Sequence, residues 1–348
     1  MSVRIGLRGF AGLLGSRLAS YLAKEPNYVL KVGILRNDPT LVRLMERAFL
    51  VASKGGKSVF AEQMFLDETD QVVRRINEHY GGLVRFHTLA NLDLAECDIV
   101  IDAASPGRNH ELQSHYQTYQ GPVVYQDGEY PRGRLMSPPF MQTNQGGNRF
   151  RQGGCILSGC VPLLAPFVDC LREVKIHLVM QYDGREADHT ISERVNTFRV
   201  VEAYRPRIEE ELGVLIPANF SVVRVIQIPS MVHYALSLTI EVEETICAED
   251  VKSRLCDSPR VQVVPDSMDG SYSLNLMQVI DQGTLPISVL GSTVRTEKIS
   301  STRTRIDLVA ALYHRNLAVL PNVDAVRILA ENMDPIEAMK LTDRRILA

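Results

Sequence analysis

Two cysteines five residues apart are the side chains best suited to covalent chemistry in this sequence. The run 155–158 predicts a buried strand that begins with Cys155, and Cys160 follows it shortly before Pro162. Proline is favoured in the first turn of a helix, where its missing N–H would have no partner. Pro162 therefore predicts that Cys160 lies at a helix N-terminus, where the helix dipole stabilises a thiolate. We expect Cys160 to attack a carbonyl carbon, with Cys155 as the alternative.

A nucleophilic thiol also needs a group that moves its proton. His189 and His314 follow predicted strands, and His233 begins one. Three arginines of the second half are candidates for holding a substrate carboxylate or phosphate: Arg185, Arg205 and Arg207. No cysteine or histidine pair has the spacing of a zinc site, so the sequence predicts no metal.

Three glycines with the spacing GxxGxxG lie between a predicted strand at 3–7 and a helix that ends before Pro26. In a strand–turn–helix unit such glycines allow a tight turn and bring backbone N–H groups close to a pyrophosphate. The dipole of the following helix favours the phosphate charge. The turn predicts a dinucleotide site formed by Gly9, Phe10, Ala11, Gly12, Leu13 and Leu14.

The choice between NAD and NADP depends on the residues after the second predicted strand. A carboxylate there would bind the ribose of NAD, and an arginine would bind the 2′-phosphate of NADP. This chain has Arg36, Asn37 and Asp38 in succession. The sequence therefore predicts NAD(P) and leaves both cofactors open.

The elements that position these residues alternate between strand and helix in the first part of the chain. Strands are predicted at 3–7, 29–35, 97–104 and 122–125, with helices near 40–51, 67–79 and 108–119. This alternation is typical of a parallel α/β sheet, a Rossmann domain. The segment 131–154 has three prolines, five glycines and four arginines. We interpret it as a solvated linker, with a mobile loop near an anionic ligand as the alternative.

Strands dominate the second half, which predicts an α+β domain with a mostly antiparallel sheet. The predicted strands cover 174–182, 221–228, 234–243 and 306–313, and the predicted helices 161–172, 205–212 and 248–257. We assign residues 1–158 to a dinucleotide-binding domain and 159–321 to a catalytic domain. A last helix, 322–348, is expected to pack back on the first domain.

Composition narrows the class of protein. Of the 348 residues, 45% are hydrophobic and 23% are charged, as is usual in a soluble globular protein. The net charge is −3, so we expect no general affinity for nucleic acid or for an anionic membrane. Six cysteines are too few for a disulfide scaffold. No signal peptide or membrane span is apparent, so we expect a cytoplasmic protein.

The order of these parts resembles the superfamily of glyceraldehyde-3-phosphate dehydrogenase, aspartate-semialdehyde dehydrogenase and N-acetyl-γ-glutamyl-phosphate reductase. The run SGCVP at 158–162 is similar to the GCxP motif of the reductases. DIVIDA at 98–103, IEVEET at 240–245 and LPNVDAVR at 320–327 resemble segments of archaeal glyceraldehyde-3-phosphate dehydrogenases. An ungapped reading against the archaeal motif SCNTT instead places Cys155 at the position of its cysteine.

The resemblance implies an oxidoreductase that interconverts an aldehyde and an acyl phosphate or thioester through a cysteine-bound intermediate. It points to His233 as the catalytic histidine. Residues implied around the cofactor are Ser105, Pro106, Gly107, His314 and Asn316. It also implies a homodimer or homotetramer acting on a small-molecule aldehyde or activated acyl substrate.

Two other functions stay open at this point. One is a catalytically retired relative that binds NAD(P) as a sensor or scaffold. The other is an NAD(P)H reductase that works without a covalent intermediate, with Cys160 as a packing residue.

Overall fold

The protein is described by a computed structural model that covers residues 2–35, 61–80, 84–104, 112–126, 133–142, 147–181, 199–228, 234–264 and 285–346. The helix predicted near 40–51 lies outside these ranges. Two sheets organise the described chain, one of nine strands and one of eight. Within the described residues, no helix has the length and apolar character needed to cross a membrane.

The first sheet is built from alternating strands and helices, as predicted. Its strands are β1 (Val3–Arg8), β2 (Tyr28–Leu35), β3 (Gln63–Leu66), β4 (Phe86–Thr88), β5 (Ile99–Asp102), β6 (Val123–Tyr125), β7 (Arg134–Ser137), β8 (Phe140–Met141) and β9 (Arg149–Gln152). The helices are α1 (Leu13–Leu22), α2 (Asp70–Tyr80) and α3 (Gln113–Thr118). The strand order is β4-β3-β2-β1-β5-β6-β9-β7-β8, and β1 pairs in parallel with both β2 and β5. The N-terminal α/β fold is therefore confirmed.

The interpretation of 131–154 as a solvated linker is wrong for its described part. Strand β9 pairs in parallel with β6 and β7 and so extends the sheet. The guanidinium of Arg149 donates hydrogen bonds to the carbonyl oxygens of Tyr116, Tyr119 and Gly121. Two of these carbonyls belong to the C-terminal end of α3, where a cation is favourable. The positive charge therefore stabilises the fold.

The second sheet is mixed and mostly antiparallel, which confirms the α+β prediction. Its strands are β10 (Leu171–Gln181), β11 (Arg199–Val200), β12 (Asn219–Ile228), β13 (Tyr234–Val242), β14 (Val261–Val264), β15 (Ile287–Leu290), β16 (Arg295–Lys298) and β17 (Thr304–Leu312). Helices α4 (Cys155–Leu164), α5 (Arg205–Leu215) and α6 (Ala248–Asp257) accompany it. The order is β11-β12-β10-β13-β17-β15-β14, with β16 on β17. In β13 and β17 every second residue is buried, as expected where one face of a sheet carries the core.

The chain divides into two compact units. The first contains Met1–Met136, Thr143–Gly154 and Val319–Ala338, and the second contains Ser137–Gln142, Cys155–Ala318 and Met339–Ala348. The division at 154–155 places the glycine turn in the first unit and Cys155 in the second.

The single helix predicted over 322–348 is wrong, because the chain forms two helices here, α7 (His314–Ala330) and α8 (Pro335–Ile346). Asn332 has φ +54°, a left-handed conformation that ends a helix. The Asp334 carboxylate then accepts hydrogen bonds from the N–H groups of Ile336 and Glu337, which caps α8.

A buried ion pair fixes α7 within the first unit. Arg327 donates to Glu25 over 2.5 Å, and both side chains are almost fully buried. A second guanidinium nitrogen of Arg327 lies 3.5 Å from the hydroxyl of Tyr28. Because Glu25 follows α1 and Tyr28 begins β2, this cluster joins the C-terminal region to the first βα unit.

Replacing Arg327 by methionine should destabilise the first unit by about 3–5 kcal/mol, because Glu25 is then left buried without its counter-charge. Denaturant unfolding or hydrogen exchange of β1 and β2 would measure the change. Arg4→Met is the matched control, since the Arg4–Asp98 pair is exposed and surface pairs contribute little. Equal effects of the two substitutions would contradict this account.

Candidate active site

Helix α4 begins at Cys155, not after Cys160. Residues 155–158, predicted as a strand, form its first turn, and Pro162 lies in its last turn. The strand prediction was wrong because residues 156–164 are all buried, on every side of the helix. A short apolar run does not distinguish a strand from a buried helix. Pro162 has no N–H to donate to the carbonyl of Ser158, so one hydrogen bond of the helix is missing there. The chain continues into a 3₁₀ turn at Ala165–Phe167.

This position of α4 reverses the environments expected for the two cysteines. Cys160 is fully buried in the middle of the helix, and burial raises the pKa of its thiol to about 12. Such a thiol stays protonated near neutral pH and is inert. Cys155 is only partly buried and occupies the helix N-terminus. The structural argument that favoured Cys160 therefore applies to Cys155.

A tyrosine hydroxyl and two backbone N–H groups lie near the sulfur of Cys155. Its Sγ lies 3.7 Å from the hydroxyl of Tyr234, the first residue of β13. Burial raises the pKa of the Cys155 thiol, while the Tyr234 hydroxyl and the backbone N–H groups of Cys155 and Ile156 act in the opposite direction. The backbone groups belong to the helix terminus and have no partner within the helix. They are therefore oriented to stabilise negative charge on sulfur or on a bound oxyanion.

The absence of a side chain at Gly159 lets α4 approach the sheet closely. A Cβ at Gly159 would lie 2.6 Å from Cδ1 of Leu312. Leu312 is the direct cross-strand partner of Tyr234 in the β13–β17 pair. Because Cys155 and Gly159 are one helical turn apart, they share a face of α4 and lie over Tyr234 and Leu312 respectively.

In the first unit, the predicted glycine turn is tight and needs glycine at two of its positions. Gly9 has φ +76°, and a Cβ there would lie 2.5 Å from the carbonyl oxygen of Ala103. A Cβ at Gly15 would overlap the carbonyl oxygen of Gly9. The turn is closed by a 2.8 Å hydrogen bond from the N–H of Gly12 to the same oxygen. The first turn of α1 carries no acidic residue, so an anion bound at this helix N-terminus would meet no repulsion from a carboxylate of that turn.

A buried polar cluster next to this turn was missed by the sequence analysis. Arg8, at the end of β1, forms a 3.1 Å ion pair with Asp102, its register partner at the end of β5. Tyr116 donates a 2.8 Å hydrogen bond to the same carboxylate. Burial raises the pKa of Asp102, and both partners oppose that rise. The available signal was a charged residue at the end of each of two buried strands.

The other predicted site residues divide into three groups. Arg205 is paired with Glu202 and Arg207 with Glu211, so an anionic substrate would compete with carboxylates already in place. His314 and Asn316 lie in the first turn of α7. The remaining ones fall outside the described residues: Arg36, Asn37, Asp38, Ser105, Pro106, Gly107, Arg185, His189 and His233.

Comparison with known proteins finds relatives along the whole chain, although no family model matches. Glyceraldehyde-3-phosphate dehydrogenase of Thermococcus kodakarensis is 22% identical, over 99% of both chains. The enzyme of that name from Halobacterium salinarum is 21% identical, over 98% of both chains.

Solved structures show the same fold at lower identity. Aspartate semialdehyde dehydrogenase II of Vibrio cholerae, complexed with ASA, aligns with a TM-score of 0.61 at 12% identity, over 95% of this chain and 99% of that one. Aspartate semialdehyde dehydrogenase of Candida albicans, with NADP, aligns with a TM-score of 0.61 at 14% identity, over 100% and 98%. The resemblance drawn from the sequence is thereby confirmed.

Alanine at Gly15 should abolish binding of NADH and NADPH while the fold is retained, since its Cβ would occupy the space of the Gly9 carbonyl. Quenching or transfer of nicotinamide fluorescence would measure binding. Gly213→Ala, in helix α5, is the control, because a Cβ there meets nothing within 4 Å. Unchanged cofactor affinity in the Gly15 variant would exclude the turn as the pyrophosphate site.

Proposed function

From the similarity of the whole chain to glyceraldehyde-3-phosphate dehydrogenases and of its fold to aspartate-semialdehyde dehydrogenases, we propose that the protein is an NAD(P)-dependent oxidoreductase of aldehydes and activated acyl groups. The observation that carries this proposal is the location of Cys155 at the N-terminus of α4, beside Tyr234. The relatives named above support the reaction class, and one structural neighbour was solved with NADP. NAD and NADP remain alternatives.

The glycine turn fits the cofactor on physical grounds. A Cβ at Gly9 or Gly15 would collide with the backbone of Ala103 or of Gly9, so the tight turn needs glycine at both positions. The N-terminus of α1 that follows offers backbone donors to a pyrophosphate. The Arg8–Asp102 pair holds the ends of β1 and β5 together at the point where the strand order reverses, which is the usual ligand position of such sheets.

Cys155 supplies the covalent step. Its sulfur forms a bond to the aldehyde carbon, its proton passes to a base, and the carbonyl oxygen takes up a proton to give a thiohemiacetal. We retain His233 as the candidate for this base. Hydride then leaves the same carbon for the acceptor that a bound nicotinamide would supply, and the hydroxyl group gives its proton back to the base, so that the carbon becomes a thioester. Phosphate, another thiol or water then attacks the thioester carbon and releases the Cys155 thiolate.

The N-terminus of α4 would assist both additions. Negative charge develops on the carbonyl oxygen when sulfur attacks and again when the acceptor attacks. Backbone N–H groups of the first turn, including those of Cys155 and Ile156, are available to it. The reverse reaction, reduction of an activated acyl group to an aldehyde, uses the same intermediates.

A non-covalent NAD(P)H reductase is the second candidate. Burial raises the pKa of the Cys155 thiol, and a thiol that stays protonated throughout the reaction would not form the intermediate. Such an enzyme would need the glycine turn but not Cys155.

Cys155→Ser should lower aldehyde-dependent reduction of NAD(P)⁺ by at least about 10³-fold, because a serine hydroxyl at this position is a far weaker nucleophile. Cofactor affinity should be unchanged. Cys160→Ala is the matched control and should retain most of the activity. The absorbance of NAD(P)H, followed with glyceraldehyde 3-phosphate and aspartate semialdehyde, measures both variants. Loss of activity in the Cys160 variant alone would refute the assignment.

A further inference from the structure

Tyr234 is the side-chain hydroxyl in contact with the candidate nucleophile. It is 8% exposed, and its oxygen lies 3.7 Å from Sγ of Cys155. A buried tyrosine usually places its hydroxyl against a polar partner. One such partner here is Sγ of Cys155, the atom that would bond to the substrate.

The distance between these two groups follows from the packing of α4. Gly159 rests on Leu312, and Leu312 is paired in register with Tyr234. One turn before Gly159, Cys155 therefore lies over Tyr234. Residues 156–164 are buried and hold the helix in place. The sulfur and the hydroxyl thus face each other from two rigid elements, and neither is on a free loop.

We propose that Tyr234 is a catalytic residue of this protein, whose hydroxyl accepts a hydrogen bond from the Cys155 thiol and donates one to the thiolate. This inference rests on the proposed function. A phenol suits both states because its oxygen is donor and acceptor. The hydrogen bond would also hold sulfur in one rotamer for attack on the aldehyde carbon. The thiol proton itself goes to another base, because the phenol keeps its own proton.

Few other groups act on this sulfur within the described residues. On α4 itself, the neighbouring thiol is Cys160, whose pKa is raised further by the charge of a Cys155 thiolate. From β17 the apolar Leu312 packs against Gly159, one turn further along the same face of α4. From β13 it is Tyr234. The hydroxyl is therefore the polar side chain whose removal should change the reactivity of Cys155.

The test is the rate of alkylation of Cys155 by iodoacetamide as a function of pH, in the wild type and in Tyr234→Phe. Tyr234→Phe removes a hydrogen bond to the charged thiolate, so the midpoint of the rate–pH curve should move to higher pH by about one unit. At pH values below the midpoint, alkylation should then be about ten-fold slower than in the wild type. The plateau rate at high pH should be retained. Tyr119→Phe is the matched control, because Tyr119 is also buried and bonded, to the carbonyl oxygen of Cys97 in the first unit.

The possible results separate this inference from the proposed function. A shifted midpoint in Tyr234→Phe with no shift in Tyr119→Phe supports it. An unshifted midpoint overturns it, whether or not the plateau changes, and a changed plateau alone would indicate a structural role. If Cys155→Ser stays active, the proposed function fails first. If Cys155→Ser is inactive and the Tyr234→Phe profile is unshifted, only the role of Tyr234 fails.

Discussion

The close packing of α4 on the β13–β17 pair is the constraint on which the candidate active site depends. Gly159 permits it, because any side chain there would meet Leu312. The apolar residues that follow Cys155 are buried on every side of the helix, so α4 has little freedom to rotate or shift. The same packing leaves its first residue partly exposed. The proposed nucleophile is thus held by a helix of the core, which favours precise geometry.

A second constraint operates in the first unit, at the ends of β1 and β5. Arg8 and Asp102 lie side by side in register, and Tyr116 completes the coordination of the carboxylate. A buried carboxylate is tolerated only because these partners compensate its lost hydration. Arg8 and Asp102 carry opposite charges and compensate each other. The attraction that we propose for a phosphate rests instead on the backbone N–H groups and the dipole of α1.

The sequence predicts the fold class and four strands of each sheet, because the patterns of those strands are regular, but it does not predict the shorter strands. Strand–helix alternation predicts the parallel sheet, and the every-second-residue pattern of β13 and β17 predicts the antiparallel one. The start of α4 could not be predicted, because its apolar residues fit a strand as well as a buried helix and Pro162 suggested a later start. The segment 131–154 was misread for a related reason. Its glycines, prolines and arginines are typical of a loop, yet the guanidinium of Arg149 donates hydrogen bonds to three backbone carbonyl oxygens of the first unit.

Tyr234 has one property that the sequence predicts, its burial, and one that it does not, its contact with Cys155. It begins a strand whose alternate residues are buried, so its burial could be predicted. Its contact with Cys155 could not, because the two residues are 79 positions apart and meet only through the packing of α4. The identity of the nucleophile likewise depends on a helix boundary. A shift of five residues in that boundary decides whether Cys155 or Cys160 occupies the helix N-terminus.

The most direct test of this account is to find which cysteine carries the acyl group. The protein would be mixed with NAD⁺ or NADP⁺ and either glyceraldehyde 3-phosphate or aspartate semialdehyde, in buffer free of phosphate and thiols, then quenched in acid and mapped by peptide mass spectrometry. The account predicts an acyl adduct on the peptide at Cys155, which persists in Cys160→Ala and is absent in Cys155→Ser. An adduct at Cys160, or reduction of the cofactor that continues in Cys155→Ser without any adduct, would contradict it.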